Sequence, residues 1–242
     1  FENYAHILLK QGFLYRDYLN QYILTPKGKL LLNAQGANPL MVTNLVYDGV
    51  LGTITPYTLA QTAGYIAGSD DVEESPKVAA EVDNIINRET GEKQDIKEFK
   101  KQRASYLQKE DKLLKSLHEA KIPSYDVISS DNVSGLIMYL WAKLNDNNPD
   151  SIENFEKLSS LEYNKEDRDV KAAMAAKLSE GNVYRVISHS ISVLKQIQRL
   201  CEEALKDSEN YPNVDYYKTL RDKAALAIDL IDKKPIAIED AV

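Results

Sequence analysis

Arg185, Ser188, His189, Ser192, Lys195 and Arg199 recur every three or four residues along EGNVYRVISHSISVLKQIQRL, residues 180–200, a stretch with no acidic side chain after Glu180. At 3.6 residues per turn this spacing predicts one helical face, opposite an apolar stripe of Val183, Ile187, Ile191, Leu194, Ile197 and Cys201. Arginine and lysine are the usual donors to phosphate oxygens. Ser188, Ser192 and Gln196 would place neutral donors between the cations, a combination suited to sequence-independent contact with a single strand. The plainer alternative is the solvated side of a bundle helix. The chain carries 30 basic against 37 acidic residues, a formal net charge of -7, so any attraction for a polyanion has to be local.

Other chemistries find little support. A phosphate-binding P-loop needs glycine amides with a lysine and a hydroxyl residue at fixed offsets, which neither PKGKLL nor YDGVLGT supplies. His6, His118 and His189 lie far apart and none has a second histidine or a cysteine at ligand spacing, so no metal site is expected. SDDVEES has carboxylates without the glycine and terminal glutamate of a calcium loop. Ser188, His189 and Ser190 are consecutive, and neighbours along a helix point in different directions, so they make no nucleophile and base pair. The single cysteine, Cys201, falls on the apolar stripe, which argues for a reducing, intracellular compartment, cytoplasmic or nuclear. No apolar run reaches membrane-spanning length and no signal pattern opens the chain. Phe1 in place of Met suggests that these residues continue something longer.

The elements that would position the face are helices. Thr25-Pro26, Asn38-Pro39, Thr55-Pro56 and Ser75-Pro76 each pair a good N-cap with the helical position that tolerates a missing N–H. A first helix over Tyr4 to Gln11 should stop at Gly12, and FLYRDYLNQYILT has the composition of a short hairpin or wing. Residues 76–120 are highly charged and read as one or two long helices broken near Gly91, with Pro123 closing the section. SGLIMYLWAKL is apolar nearly all round and should be a central core helix, followed by a short helix capped by Asp or Ser in NDNNPDS. NVDYYKTLRDKAALAIDLID gives a last amphipathic helix. The class expected is all-α, a multi-helix bundle with one long helix, and no fixed-period repeat is evident.

Several of these blocks resemble, in order, the helical C-terminal domain (DSHCT) of superkiller-type, exosome-associated DExH-box RNA helicases. LLKQGFL and LTPKGKLLLNAQGANPLMVTNLVYDGVLGTITPYTLAQTAGYIA are similar to its opening helices, with Lys27-Gly28-Lys29, Leu40 to Leu51 and Thr55 to Ile66 falling into place without gaps. GLIMYLWAKLNDNNPDSIENFEKL, SEGNVYRVISHSISVLKQIQRLCEEAL and LRDKAALAIDLIDKKPIAI are similar to its later helices. About residues 70–125 and 159–178 match no part of it.

The resemblance implies an end of an upstream winged-helix-like or linker element over 1–24 and a DSHCT-like bundle over 25–242, with 70–125 a charged helical insertion. It likens residues 180–200 to the ratchet helix that lines the RNA exit channel, and Arg185 to the family's first arginine there. Ser188 and His189 stand where paired arginines are usual, Ile191 where a glutamate is usual, and Asn33 replaces another glutamate expected near the RNA path. Implied partners are single-stranded RNA, RecA-like motor domains and an RNA-degradation complex. ATP and Mg would be bound by the motor, which these residues do not include, and no catalytic site is expected within them. A helical protein-interaction scaffold that has lost its grip on the strand is the alternative.

Overall fold

Thr25 Oγ1 accepts from the Gly28 amide at 3.0 Å and Thr55 Oγ1 from the Thr58 amide at 3.2 Å, so the Thr-Pro signals act as the N-caps their chemistry predicts. They belong to a computed structural model that describes residues 2–68, 133–160 and 178–233, single positions between 77 and 119, and residues 168 and 171. In chain order α1 spans Glu2–Lys10, β1 Leu14–Arg16, β2 Tyr22–Leu24, α2 Pro26–Leu31, α3 Pro39–Tyr47, α4 Pro56–Ala67, α5 Ser134–Asn147, α6 Ser151–Ser159, α7 Glu180–Lys206 and α8 Val214–Ile231. The architecture is an all-α, multi-helix bundle. β1 and β2 make the one sheet among the described residues, an antiparallel pair in which Tyr15 faces Ile23, as the Tyr- and Ile-rich segment anticipates. Gly12, at φ +76°, ends the first helix at the expected place.

Asn38 departs from expectation. It sits at φ +45° with no side-chain cap bond, although Pro39 does open α3. The reason is its loop, in which Gly36 at φ +136° and Asn38 turn the chain back over α7 instead of capping α3. The Ser75-Pro76 start, the break near Gly91, the Pro123 stop and His118 lie outside the described residues. Within the proposed insertion Ile85, Leu113 and Leu117 are described, and all three are buried in the common core.

The centre of the bundle is α4, buried at every residue from Thr58 to Ala67, and it packs on α5, α7 and α8. SGLIMYLWAKL is, as expected, a core helix: α5 buries Ser134 to Ala142 without a break. The two meet backbone to backbone. A Cβ on Gly135 would lie 2.4 Å from Tyr65 Cδ2 and 2.7 Å from Gln61 O, and one on Gly64 would lie 2.8 Å from Gly135 Cα. Such an approach is open only to glycine on both sides.

α5 also closes the C-terminal end of α8. The last carbonyls of a helix have no partner within it, and here Trp141 Nε1 donates to Ile231 O at 3.1 Å and Asn145 Nδ2 to Leu230 O at 2.9 Å. The two donors are four residues apart and so share a face. Asn154 of α6 completes the chain, its Nδ2 donating to Asn145 Oδ1 at 2.9 Å and to Asn148 O at 2.7 Å. Replacing Trp141 by Phe keeps most of the ring but leaves Ile231 O unpaired. Thermal and urea unfolding should show a loss of about 1–3 kcal/mol, and a smaller loss would mean that the carbonyl finds another donor.

Candidate nucleic-acid interface

α7 is the longest described helix, 27 residues, and its burial follows the apolar period. Val183, Val186, Ile187, Val193, Leu194, Ile197, Leu200, Cys201 and Ala204 face the core and pack chiefly on α8 and α4. Ile191, assigned to the buried stripe from its spacing, is only partly buried. It lies at the edge of that stripe, some 60° from Leu194 on a 100°-per-residue wheel.

Arg185, Ser188, His189, Ser192, Lys195 and Arg199 are all exposed and share the opposite face of α7. From Arg185 to Arg199 the run extends about 21 Å along the axis. Ser188, His189, Ser192 and Lys195 form no side-chain hydrogen bond or ion pair among the described residues, so their donors point to solvent. Arg185 Nη2 donates to Asn182 Oδ1 at 3.1 Å, a contact within its own helix. Arg199 Nη1 donates to Gln35 Oε1 at 2.7 Å. The face ends there, because Glu202 and Glu203 follow, Glu203 accepting from Lys206 at 2.7 Å.

Gln196 is a correction. By its spacing it belongs to the exposed face, yet it is 3% exposed, and neither its Oε1 nor its Nε2 has a partner among the described residues. The cause is tertiary. The loop over residues 33–38 lies on α7 at this point, and a Cβ on Gly36 would come within 2.8 Å of Gln196 Oε1. Gln35 from the same loop holds Arg199, so the loop covers the polar face in its last third, while Ser188, His189, Ser192 and Lys195 before it are exposed. Asn33, at the start of that loop, is partly buried.

Spacing arguments built on cations pass over Tyr184. It is 41% exposed, lies one turn before Ser188 and flanks the open part of the face. Its signal in the sequence is the four-residue step to Ser188, which a search for basic residues ignores. An aromatic ring there offers a stacking surface beside the exposed cations.

Among the described residues no three His, Cys, Asp or Glu side chains come together in a way that could hold a metal ion. No described helix is long and apolar enough to cross a membrane. Burial pushes the Cys201 thiol up from 9.0 to about 12, which keeps it a protonated core residue and removes it from nucleophilic chemistry at neutral pH. No family model matches the chain, and no curated protein matches it. The likeness to DSHCT domains therefore rests on the sequence blocks alone.

Proposed function

We propose that the chain is a helical accessory domain of an ATP-dependent RNA helicase, in which α7 acts as a ratchet-type helix against single-stranded RNA. One observation carries the reading: an exposed, acid-free face presents Arg185, Ser188, His189, Ser192, Lys195 and Arg199 on one side of α7 in a chain whose net charge is -7. The order of the sequence blocks likened to DSHCT domains supports it. Chemically, the cations would take phosphate oxygens, the hydroxyls would add neutral donors, and Tyr184 would stack on a base. Such contacts ignore sequence and break one at a time. That is what a strand advanced by a neighbouring motor needs if it is to be held against slipping back. Binding and hydrolysis of ATP with Mg would belong to RecA-like motor domains, and an RNA-degradation complex is the setting the likeness suggests.

The three cations of the face bear the load in this reading, Arg199 included once it exchanges Gln35 for a phosphate, so the salt dependence is diagnostic. In the R185A/K195A/R199A variant the slope of log K for single-stranded RNA against log salt is expected to flatten by about 2, three contacts at about 0.7 each. An unchanged slope would remove α7 from the strand path. Matched RNA and DNA strands tell the two nucleic acids apart, since only RNA offers the 2′-hydroxyl.

A second reading, a protein-interaction scaffold, is favoured by the loop that covers Gln196 and engages Arg199. On that reading the triple variant binds RNA as weakly as the parent and retains its protein partners in a pull-down, with or without competing RNA.

A further inference from the structure

A second cationic site lies on a different part of the molecule. Among the described residues Lys10, Gln11, Lys27, Asn44, Lys112 and Lys115 line a cavity of about 330 Å³ between the end of α1, the start of α2, α3 and the helical positions around Leu113 and Leu117. Its charges sort themselves. Lys27, 8% exposed, is held by Asp48 Oδ1 at 3.1 Å and lies over the rings of Phe13 and Tyr47 at 5.1 and 5.7 Å. Lys10 pairs with Glu119. Each carboxylate thus has a lysine partner already. Lys112 and Lys115, three residues apart on one face, remain without a carboxylate partner among the described residues. Among the described lining residues four lysines stand against two carboxylates, a formal +2 in a chain of net charge -7. Leu113 and Leu117, buried in the core, fix the element that carries these two exposed lysines.

The neutral groups point the same way. Gln11 Nε2 donates to Ser116 Oγ at 3.0 Å and to Lys112 O at 3.4 Å, which settles the orientation of the Gln11 amide. Its Oε1 then faces Asn44 Nδ2 at 3.5 Å, and this turns the Asn44 amide so that Oδ1 is the atom left over. Asn44 is 1% exposed and its Oδ1 has no hydrogen-bond partner. A buried acceptor without a donor is costly, and a ligand that brings one recovers the cost.

We infer that this cavity binds a phosphate monoester, its dianionic phosphate held by Lys112 and Lys115 at the rim and a hydroxyl of its organic part donating toward Asn44 Oδ1. A phosphate monoester is close to a dianion at neutral pH, which matches the uncompensated +2. The volume lies at the low end of small-ligand pockets, about 300 to 1,000 Å³, and suits a single phosphorylated sugar. The site shares no residue with the α7 face and stands whether or not that face binds RNA.

Calorimetric titration of the chain with ribose 5-phosphate, inorganic phosphate and ribose tests it. Ribose 5-phosphate should bind saturably and more tightly than either fragment, and K112E/K115E should weaken it at least about tenfold. Both lysines are exposed, so that variant keeps its fold, and an unchanged melting curve checks this. The R185A/K195A/R199A variant should bind ribose 5-phosphate as the parent does, which separates this site from the strand face. Adding 5′-phosphorylated RNA identifies the source of the phosphate: competition assigns a strand end, and none assigns a free phosphorylated metabolite. Absence of saturable binding, or affinity undiminished in K112E/K115E, overturns the proposal.

Discussion

Gly135→Ala is expected to cost about 3 kcal/mol or more, enough to unfold a marginal domain, although it adds one methyl group to a helix. On an exposed helix the same change would stabilise by up to about 1 kcal/mol, because alanine is the better helix former. The sign reverses here because the new Cβ would lie 2.4 Å from Tyr65 Cδ2, 2.6 Å from Tyr65 Cε2 and 2.7 Å from Gln61 O. Two of these atoms belong to a ring that is itself 1% exposed, and the third is backbone of the buried stretch of α4. None can move without displacing the centre of the bundle. Gly64→Ala meets Gly135 Cα and Met138 Cγ at 2.8 Å and Ser134 O at 2.9 Å, so it attacks the same crossing from the other side. Urea unfolding of both variants and of the double variant decides the matter. Strongly non-additive losses are expected, since either methyl alone already forces the helices apart. A loss below about 1 kcal/mol in Gly135→Ala would mean that the α4–α5 contact is looser than these distances require.

This crossing shows what could and could not be read from the amino-acid order. Thr25, Thr55 and Asp150 cap helices as their types and positions predict, because a cap is a bond between residues two or three apart. The α7 face was legible for the same reason, since its six residues lie within fifteen positions of one helix. Gln196 was not. Its burial depends on the 33–38 loop, some 160 residues earlier in the chain, and no local period reports that contact. The same loop takes Asn38 out of its capping role. Gly64 and Gly135 are unremarked glycines until α4 and α5 are laid across each other. The phosphate-sized cavity brings Lys10 and Lys27 to Lys112 and Lys115, which nothing in their own neighbourhoods foretells.

Alkaline pH is expected to unfold the bundle between about 9 and 12, and the reason again lies in residues gathered from distant segments. Tyr211, Tyr216 and Tyr217 stack edge to face, with ring centroids 6.0 Å apart for Tyr211 and Tyr217 and 5.0 Å for Tyr216 and Tyr217. Tyr47 joins from α3 at 6.4 Å from Tyr211. Two of the phenols work as donors to backbone carbonyls, Tyr211 Oη to Pro26 O and Tyr216 Oη to Val46 O, both at 2.7 Å. A phenolate has no proton to donate and would set a negative charge against a carbonyl oxygen. Burial first, and after it Asp207 for Tyr211 and Tyr47 for Tyr217, push both phenols up to about 12, and burial drives Tyr216 higher still. Cys201, on the α7 side of the same core, rises from 9.0 to about 12.

For all four groups the folded value lies above the unfolded one, so the unfolded chain sheds protons first. Stability is then fully present below pH 9 and is lost as pH rises toward 12. For Cys201 alone the rise corresponds to on the order of 4 kcal/mol, comparable with much of the stability of an ordinary domain. Circular dichroism against pH should show a cooperative loss of helix in that window. Tyr216→Phe provides the internal check: it should be less stable than the parent at pH 7, where Val46 O loses its donor, and lose stability less steeply above pH 10. Parallel pH curves for the two proteins would mean that Tyr216 ionises as freely in the folded chain as in the unfolded one.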